Sequence, residues 1–228
     1  MLDSLIARAR RLAQTVGRTD GRTDGRTDGR TLLGIAGCPA AGKSTLAATL
    51  VDELRRLGEP ATLVPMDGFH LSDAALDRLG RRDRKGAIDT FDGEGYLALL
   101  RRIRVDRQRT IWAPGFERDL EQPIAGTIPV EPAARLVVTE GNYLLASDDP
   151  WPLVRAELAE VWYCQLDDAV RRERLVRRHV EFGKTEDEAR RWVSAVDDPN
   201  ARLIEAGRDR ADLIVDMGNW GAPGERTG

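Results

Sequence analysis

A chain of 228 residues is long enough for one well-packed α/β domain and short for two full ones. Lys and Arg total 35 against 38 Asp and Glu, so a net charge of −3 offers no general attraction to nucleic acid or to an anionic membrane. The two cysteines, Cys38 and Cys164, fit neither a disulfide framework nor a zinc-ligand spacing, and no segment approaches membrane-spanning length.

In chain order, Leu2, Leu5, Ile6, Ala9, Leu12, Ala13 and Val16 recur at helical spacing, which predicts an amphipathic helix within residues 1–16. Asp3, Arg8, Arg10 and Arg11 interrupt the apolar core that a signal peptide needs, so a soluble cytoplasmic protein is expected. Residues 17–30, GRTDGRTDGRTDGR, repeat every four residues without an apolar side chain and are expected to be a flexible linker. The alternative is a phosphate- or partner-binding arm using Arg18, Arg22, Arg26 and Arg30, of which the last alone lacks a following Asp.

From Thr31 onward, apolar runs alternate with helical ones. TLLGIAG, ATLVPM, ARLVVTEG, EVWYCQL and ADLIVDM read as strands. STLAATLVDELRRLG, PWPLVRAELA, AVRRERLVRRHVEF and TEDEARRWVSAV read as helices. Apolar strands separated by helices predict a parallel sheet covered on both faces, with ligands at the carboxyl ends of the strands. Residues 31–217 form this domain, and residues 218–228 are expected to be a disordered tail.

GCPAAGKS, residues 37–44, matches G-x-x-x-x-G-K-S/T between a strand and a helix. Its glycines let successive N–H groups curl around a phosphate chain, Lys43 reaches the terminal phosphates, and the Ser44 hydroxyl joins a Mg²⁺ shell. Gly37, Ala40, Ala41, Gly42, Lys43, Ser44 and Thr45 are therefore the expected contacts of an Mg²⁺-bound nucleoside triphosphate. Cys38, inside the loop, reads either as a thiol activated by nearby positive charge or as a small residue that fits. Glu140 ends the strand VVTE and is the candidate second metal ligand; a strand-end Glu held by a backbone N–H is the alternative. In DDAVRRERLVRRHVEFGK, Arg171, Arg174 and Arg178 share a helix face, as a lid that neutralises the γ-phosphate or as a solvated charged helix. Asp67, in MDGFH after the second strand, is a candidate base or a turn cap.

Together with RLGRRDRKGAIDTFDGEGYLALLRRI and EGNYLL, these motifs in this order resemble the superfamily of uridine kinase, pantothenate kinase and phosphoribulokinase. The chain is most similar there to bacterial nucleoside/nucleotide kinase-like and fructose-transport-associated kinase proteins. The resemblance implies a three-layer P-loop NTPase fold with a mostly parallel central sheet, helices on both faces and an arginine-bearing lid. It also implies an ATP- and Mg²⁺-dependent kinase that phosphorylates a small-molecule hydroxyl. It carries the general base onto Asp67, acceptor binding onto Asp67 and Asp89, and the lid arginines onto Arg174, Arg177 and Arg178, with Asp92 as a helix N-cap. In the fructose-transport-associated branch Phe116, Arg118 and Glu121 approach the acceptor; an ordinary surface loop is the alternative. His70 is expected to touch the acceptor, and Tyr143 to line its pocket or to belong to the core. The chain departs from uridine kinases at Gly68 and His70, where they show D-S-F-Y, and at Ala87-Ile88-Asp89, where they show H-P-D. The competing function class is a nucleotide-dependent switch with slow hydrolysis. The acceptor, the choice of ATP or GTP and the oligomeric state, a homodimer included, stay open.

Overall fold

The computed structural model describes residues 1–15 and 29–220. Val16, repeat residues 17–28 and tail residues 221–228 lie outside the described residues, and with them most of the linker and tail expectations.

Five parallel strands form the central sheet: β1 (Thr31–Gly37), β2 (Ala61–Leu63), β5 (Leu136–Gly141), β6 (Glu160–Gln165) and β7 (Leu213–Asp216), in the order β2-β5-β1-β6-β7. Every residue of β1 and β5 is buried, because helices cover both faces and leave no room for polar alternation. On one face α1 (Leu2–Thr15) and α2 (Lys43–Arg56) bury Leu5, Ile6, Ala9, Leu46 and Leu50 against Leu33, Ile35 and Trp162. On the other, α4 (Gly93–Val105), α5 (Trp151–Glu157) and α8 (Asp198–Glu205) contribute Tyr96, Leu97, Leu100, Val154, Ala201 and Ile204. Asp92 caps α4 by accepting from the Gly95 N–H at 2.8 Å. The second strand is shorter than the apolar run ATLVPM: a 3-10 turn, Met66–Phe69, begins where the ladder ends.

The alternation missed three features. The first is the short helix α3 (Asp73–Leu79), capped by Ser72. The second is the antiparallel hairpin of β3 (Ile111–Glu117) and β4 (Gln122–Val130), which sits off the main sheet, with a register shift between Ala113 and Gly115. Its strands carry Pro114, Gly115, Pro123, Gly126 and Pro129, residues that obscure a strand signal. The hairpin lies on the Met66–Phe69 turn so closely that a Cβ at Gly68 would stand 2.4 Å from the Pro114 carbonyl oxygen. Gly68, one of the departures from uridine kinases, is thus required by backbone contact.

The third is a break in the segment TEDEARRWVSAV, expected as one helix. It divides into α7 (Glu186–Trp192) and a π turn, Val193–Asp197, which leads into α8. Pro199, at the start of α8, has no N–H to donate to the preceding turn. The wide turn presents Asp197 to His179 at 2.9 Å and Asp198 to Arg171 at 3.2 Å, so both clamp α6 (Asp168–Glu181) to the body.

Arg30, last residue of the presumed linker, is a core residue. Only 2% exposed, it donates to the carbonyls of Ile103 (2.8 Å), Glu131 (2.9 Å), Ala134 (3.1 Å) and Asp106. At the other end Trp220 packs against the α1/α2 face, so the described fold runs past the expected boundary at 217.

Candidate active site

The phosphate loop closes over the carboxyl end of β1. Gly37 has φ 146° and passes so near β6 that a Cβ there would lie 2.7 Å from the Cys164 carbonyl. Ala40 (φ 63°) and Gly42 (φ 91°) adopt left-handed backbone to turn the chain into α2. Lys43 is buried and donates to the Cys38 carbonyl at 3.0 Å, a contact that a phosphate can replace; Ala41 is buried, and Ser44 and Thr45 are exposed at the helix start. Cys38 is buried beside Tyr163, and burial raises its thiol pKa, which answers the activated-thiol alternative.

β2 and β5 are neighbours, and Val64 N–H still donates to Val138, so the chain leaves the sheet at Met66 beside Gly141. This register brings the turn that carries Asp67 alongside the end of β5, near enough for the Asp67 charge to act on Glu140. Glu140 is 4% exposed and accepts from the Ser44 hydroxyl at 2.9 Å. Burial, then the Asp67 charge, push its carboxyl up to about 7, against the opposing pull of Lys43, the Ser44 hydrogen bond and Arg118. A hydroxyl and a buried carboxylate facing a second carboxylate form a hard-oxygen set that fits Mg²⁺ retaining most of its waters, and the cation's charge would relieve the repulsion.

A carboxyl whose folded pKa is raised stabilises the fold below its unfolded value, and that stability is lost as pH rises through the folded value. The ligand-free protein should therefore lose thermal stability relative to Glu140→Gln between pH 4.5 and about 7. Saturating Mg²⁺-ADP should reduce that loss. Parallel melting profiles of the two proteins across this window would contradict the assignment.

His70 follows Asp67 on the same turn. Its Nδ1 lies 2.9 Å from the Asp67 carbonyl oxygen, and its ring packs against Phe91 and Phe116, at centroid distances of 4.0 and 4.9 Å. Arg118, on the tip of the hairpin, makes no ion pair among the described residues, yet its charge is felt at Glu140. Asp89 pairs with Arg84 at 2.8 Å and Arg81 at 3.4 Å, so an acceptor hydroxyl would share it with two guanidinium groups. Tyr143 is fully buried, donates to the Gly86 carbonyl at 2.7 Å and packs against Phe91 and Trp151; it braces the 81–86 loop. Glu121 acts on His70 through its charge, and Trp112 is exposed on the hairpin.

The arginine stripe on α6 divides. Arg171 turns inward, is 2% exposed and pairs with Asp168 at 3.0 Å and Asp198 at 3.2 Å. Arg174 is exposed and Arg178 half-buried, and neither forms an ion pair among the described residues; Arg177 lies 4.0 Å from Glu173. Helical spacing alone could not separate them, because one of the two acids that hold Arg171, Asp198, comes from α8.

No family model matches the chain. A Schizosaccharomyces pombe protein provisionally named a uridine kinase is 34% identical over 192 residues, which cover 81% of this chain and 82% of that one. The chain belongs to the uridine kinase-like family of P-loop kinases. Another relative of this kinase, an ATP-dependent kinase-like protein of Aspergillus versicolor, is 34% identical over 164 residues, covering 68% of this chain and 95% of its own. Among solved structures, a Silicibacter sp. TM1040 protein provisionally described as a fructose transport system kinase superimposes with a TM-score of 0.79 at 36% identity. That match covers 92% of this kinase and 98% of the other chain. No helix among the described residues is long and apolar enough to cross a membrane.

Proposed function

We propose that this P-loop kinase transfers the γ-phosphoryl group of ATP to a hydroxyl of a small acceptor of nucleoside, sugar or pantothenate type. The observation that carries the proposal is that Glu140 accepts from Ser44 of the phosphate loop while the turn bearing Asp67 leaves β2 against the neighbouring Gly141. A nucleotide switch needs the metal-side carboxylate but has no use for a second one on the acceptor side.

Lys43 exchanges the Cys38 carbonyl for the β- and γ-phosphates, while the loop N–H groups hold the chain of phosphates. The acceptor oxygen attacks γ-phosphorus in line as the bond to the β–γ bridging oxygen breaks, and its proton passes to the Asp67 carboxylate. ADP leaves with the electron pair of the broken bond. Ser44 and Glu140 would hold Mg²⁺, which when bound would offset the negative charge of the transferred phosphoryl group. Arg174 and Arg178, free of acids in the described residues, close over the γ-phosphate, and Arg177 adds a nucleotide contact. Asp89, Arg118 and His70 face the acceptor, and Tyr143 supports the loop behind it.

The named relatives suggest nucleosides and fructose as first acceptors to test. In a coupled ADP-release assay against nucleosides, pantothenate, fructose and other sugars and polyols, at least one acceptor should raise turnover well above the hydrolytic background. Nucleotide binding without acceptor-dependent release across the panel would favour the switch.

A further inference from the structure

We propose that Tyr96 is a positioning residue for phosphoryl transfer: through Thr139 its hydroxyl fixes the carbonyl from which the Asp67 turn departs, and so sets where Asp67 stands against the acceptor hydroxyl. This assignment rests on the kinase reading and adds to it a pair of hydroxyls buried behind the site.

The inference starts from Tyr96, Thr139 and Val64, all fully buried and contributed by different segments. The Thr139 hydroxyl, in β5 next to Glu140, donates to the Val64 carbonyl at 2.6 Å. A threonine has one hydroxyl hydrogen and a carbonyl can only accept, so the Tyr96 hydroxyl, 2.5 Å from Thr139 Oγ1, is the donor of the second bond. The result is a directed chain from α4 through β5 to Val64. There the chain leaves the sheet: the Val64 N–H still donates to Val138, and Asp67 follows at once on the Met66–Phe69 turn.

The same helix grips the other end of the turn. The Asp92 N–H, at the cap of α4, donates to the Phe69 carbonyl at 2.8 Å, and the Tyr96 ring packs against Phe69 at a centroid distance of 5.2 Å. Asp67 lies between these two holds. A hold is needed because the Asp67 and Glu140 charges oppose each other, and repulsion favours drift of the turn away from β5. In-line transfer is sensitive to such drift, since a displacement of about 1 Å can cost about 10²-fold in rate. Core filling alone requires neither hydroxyl: phenylalanine and valine occupy similar space without the cost of burying polar atoms.

The test takes the acceptor that turns over in the ADP-release panel and compares Tyr96→Phe, Thr139→Val and Thr139→Ser. The first two should each lower kcat about tenfold or more, with KM for ATP and ADP affinity within about twofold of wild type. Thr139→Ser, which keeps the hydroxyl, should retain most of the wild-type rate. Introduced into Asp67→Asn, Tyr96→Phe should cost less than about twofold more, because the group it positions is already disabled. Unchanged kcat in Tyr96→Phe, or an equal loss with and without the Asp67 carboxylate, would overturn the assignment. A lowered Tm with kcat intact would mark a packing role and do the same. Silence of the wild type on the whole panel would instead sink the kinase reading and the positioning role with it. Amide hydrogen exchange of the ligand-free protein keeps the two failures apart. Tyr96→Phe should speed exchange at the His70 and Asp92 N–H groups, which donate to the Asp67 and Phe69 carbonyls, by about tenfold relative to Leu50 in α2. Equal protection in Tyr96→Phe and wild type would mean that the turn holds itself, and the assignment would fail whatever the kinase does.

Discussion

Asp67→Asn is expected to lower kcat on the true acceptor by about 10²–10⁴-fold while ADP binding stays within about twofold of wild type. The amide has the size and shape of the carboxyl and should preserve the Met66–Phe69 turn, including the carbonyl that holds His70. It cannot take the acceptor proton. The range is wide because the transition state is loose, so positioning and charge neutralisation contribute more than base strength. Removing the Asp67 charge also removes one cause of the raised Glu140 pKa, so Glu140 should titrate lower in this variant. Single-turnover kinetics with calorimetry of ADP binding separates the two effects. Near-native kcat would show that Asp67 is a turn residue and that the acceptor proton goes elsewhere.

Arg30→Met should destabilise the protein by about 3–5 kcal/mol, at about 1–3 kcal/mol for each buried carbonyl left without a donor. The arginine is one of the largest fully buried side chains, and its guanidinium satisfies carbonyls at the end of α4, just beyond it, and in the segment leading into β5. Methionine fills much of the same space but donates no hydrogen bond, leaving those carbonyls desolvated and unpaired. For a chain of this size the loss corresponds to roughly 10 °C in Tm. The site lies at the amino end of β1, opposite the phosphate loop, so kcat measured well below the transition should be nearly unchanged. A shift in Tm of only a degree or two would mean that water replaces the guanidinium without cost.

Much of this molecule was legible in the order of its residues. The phosphate loop, the strands on either side of it, Glu140 at the end of an apolar run and the Asp92 cap all follow local rules, and the structure has each element where those rules put it. The hairpin escaped notice because proline and glycine interrupt both strands and β4 is largely exposed, which leaves little apolar alternation to detect. Arg30 was read with the repeat it ends; Leu32 stands where Arg18, Arg22 and Arg26 are each followed by Asp, but that difference marks the end of the repeat and carries no sign of burial. Its partners are carbonyls of residues 103–134.

The sequence by itself determined the phosphate-binding chemistry, the family and the layered α/β plan, because glycine conformation, helix capping and apolar periodicity act over a few residues. The tertiary structure decided which charged side chains are available. It drew Arg171 and Arg30 inward, left Arg174 and Arg178 without acids among the described residues, and set Asp67 against Glu140 through the pairing of β2 with β5. Burial and charge compensation are supplied by segments distant in the chain, and local spacing carries no record of them.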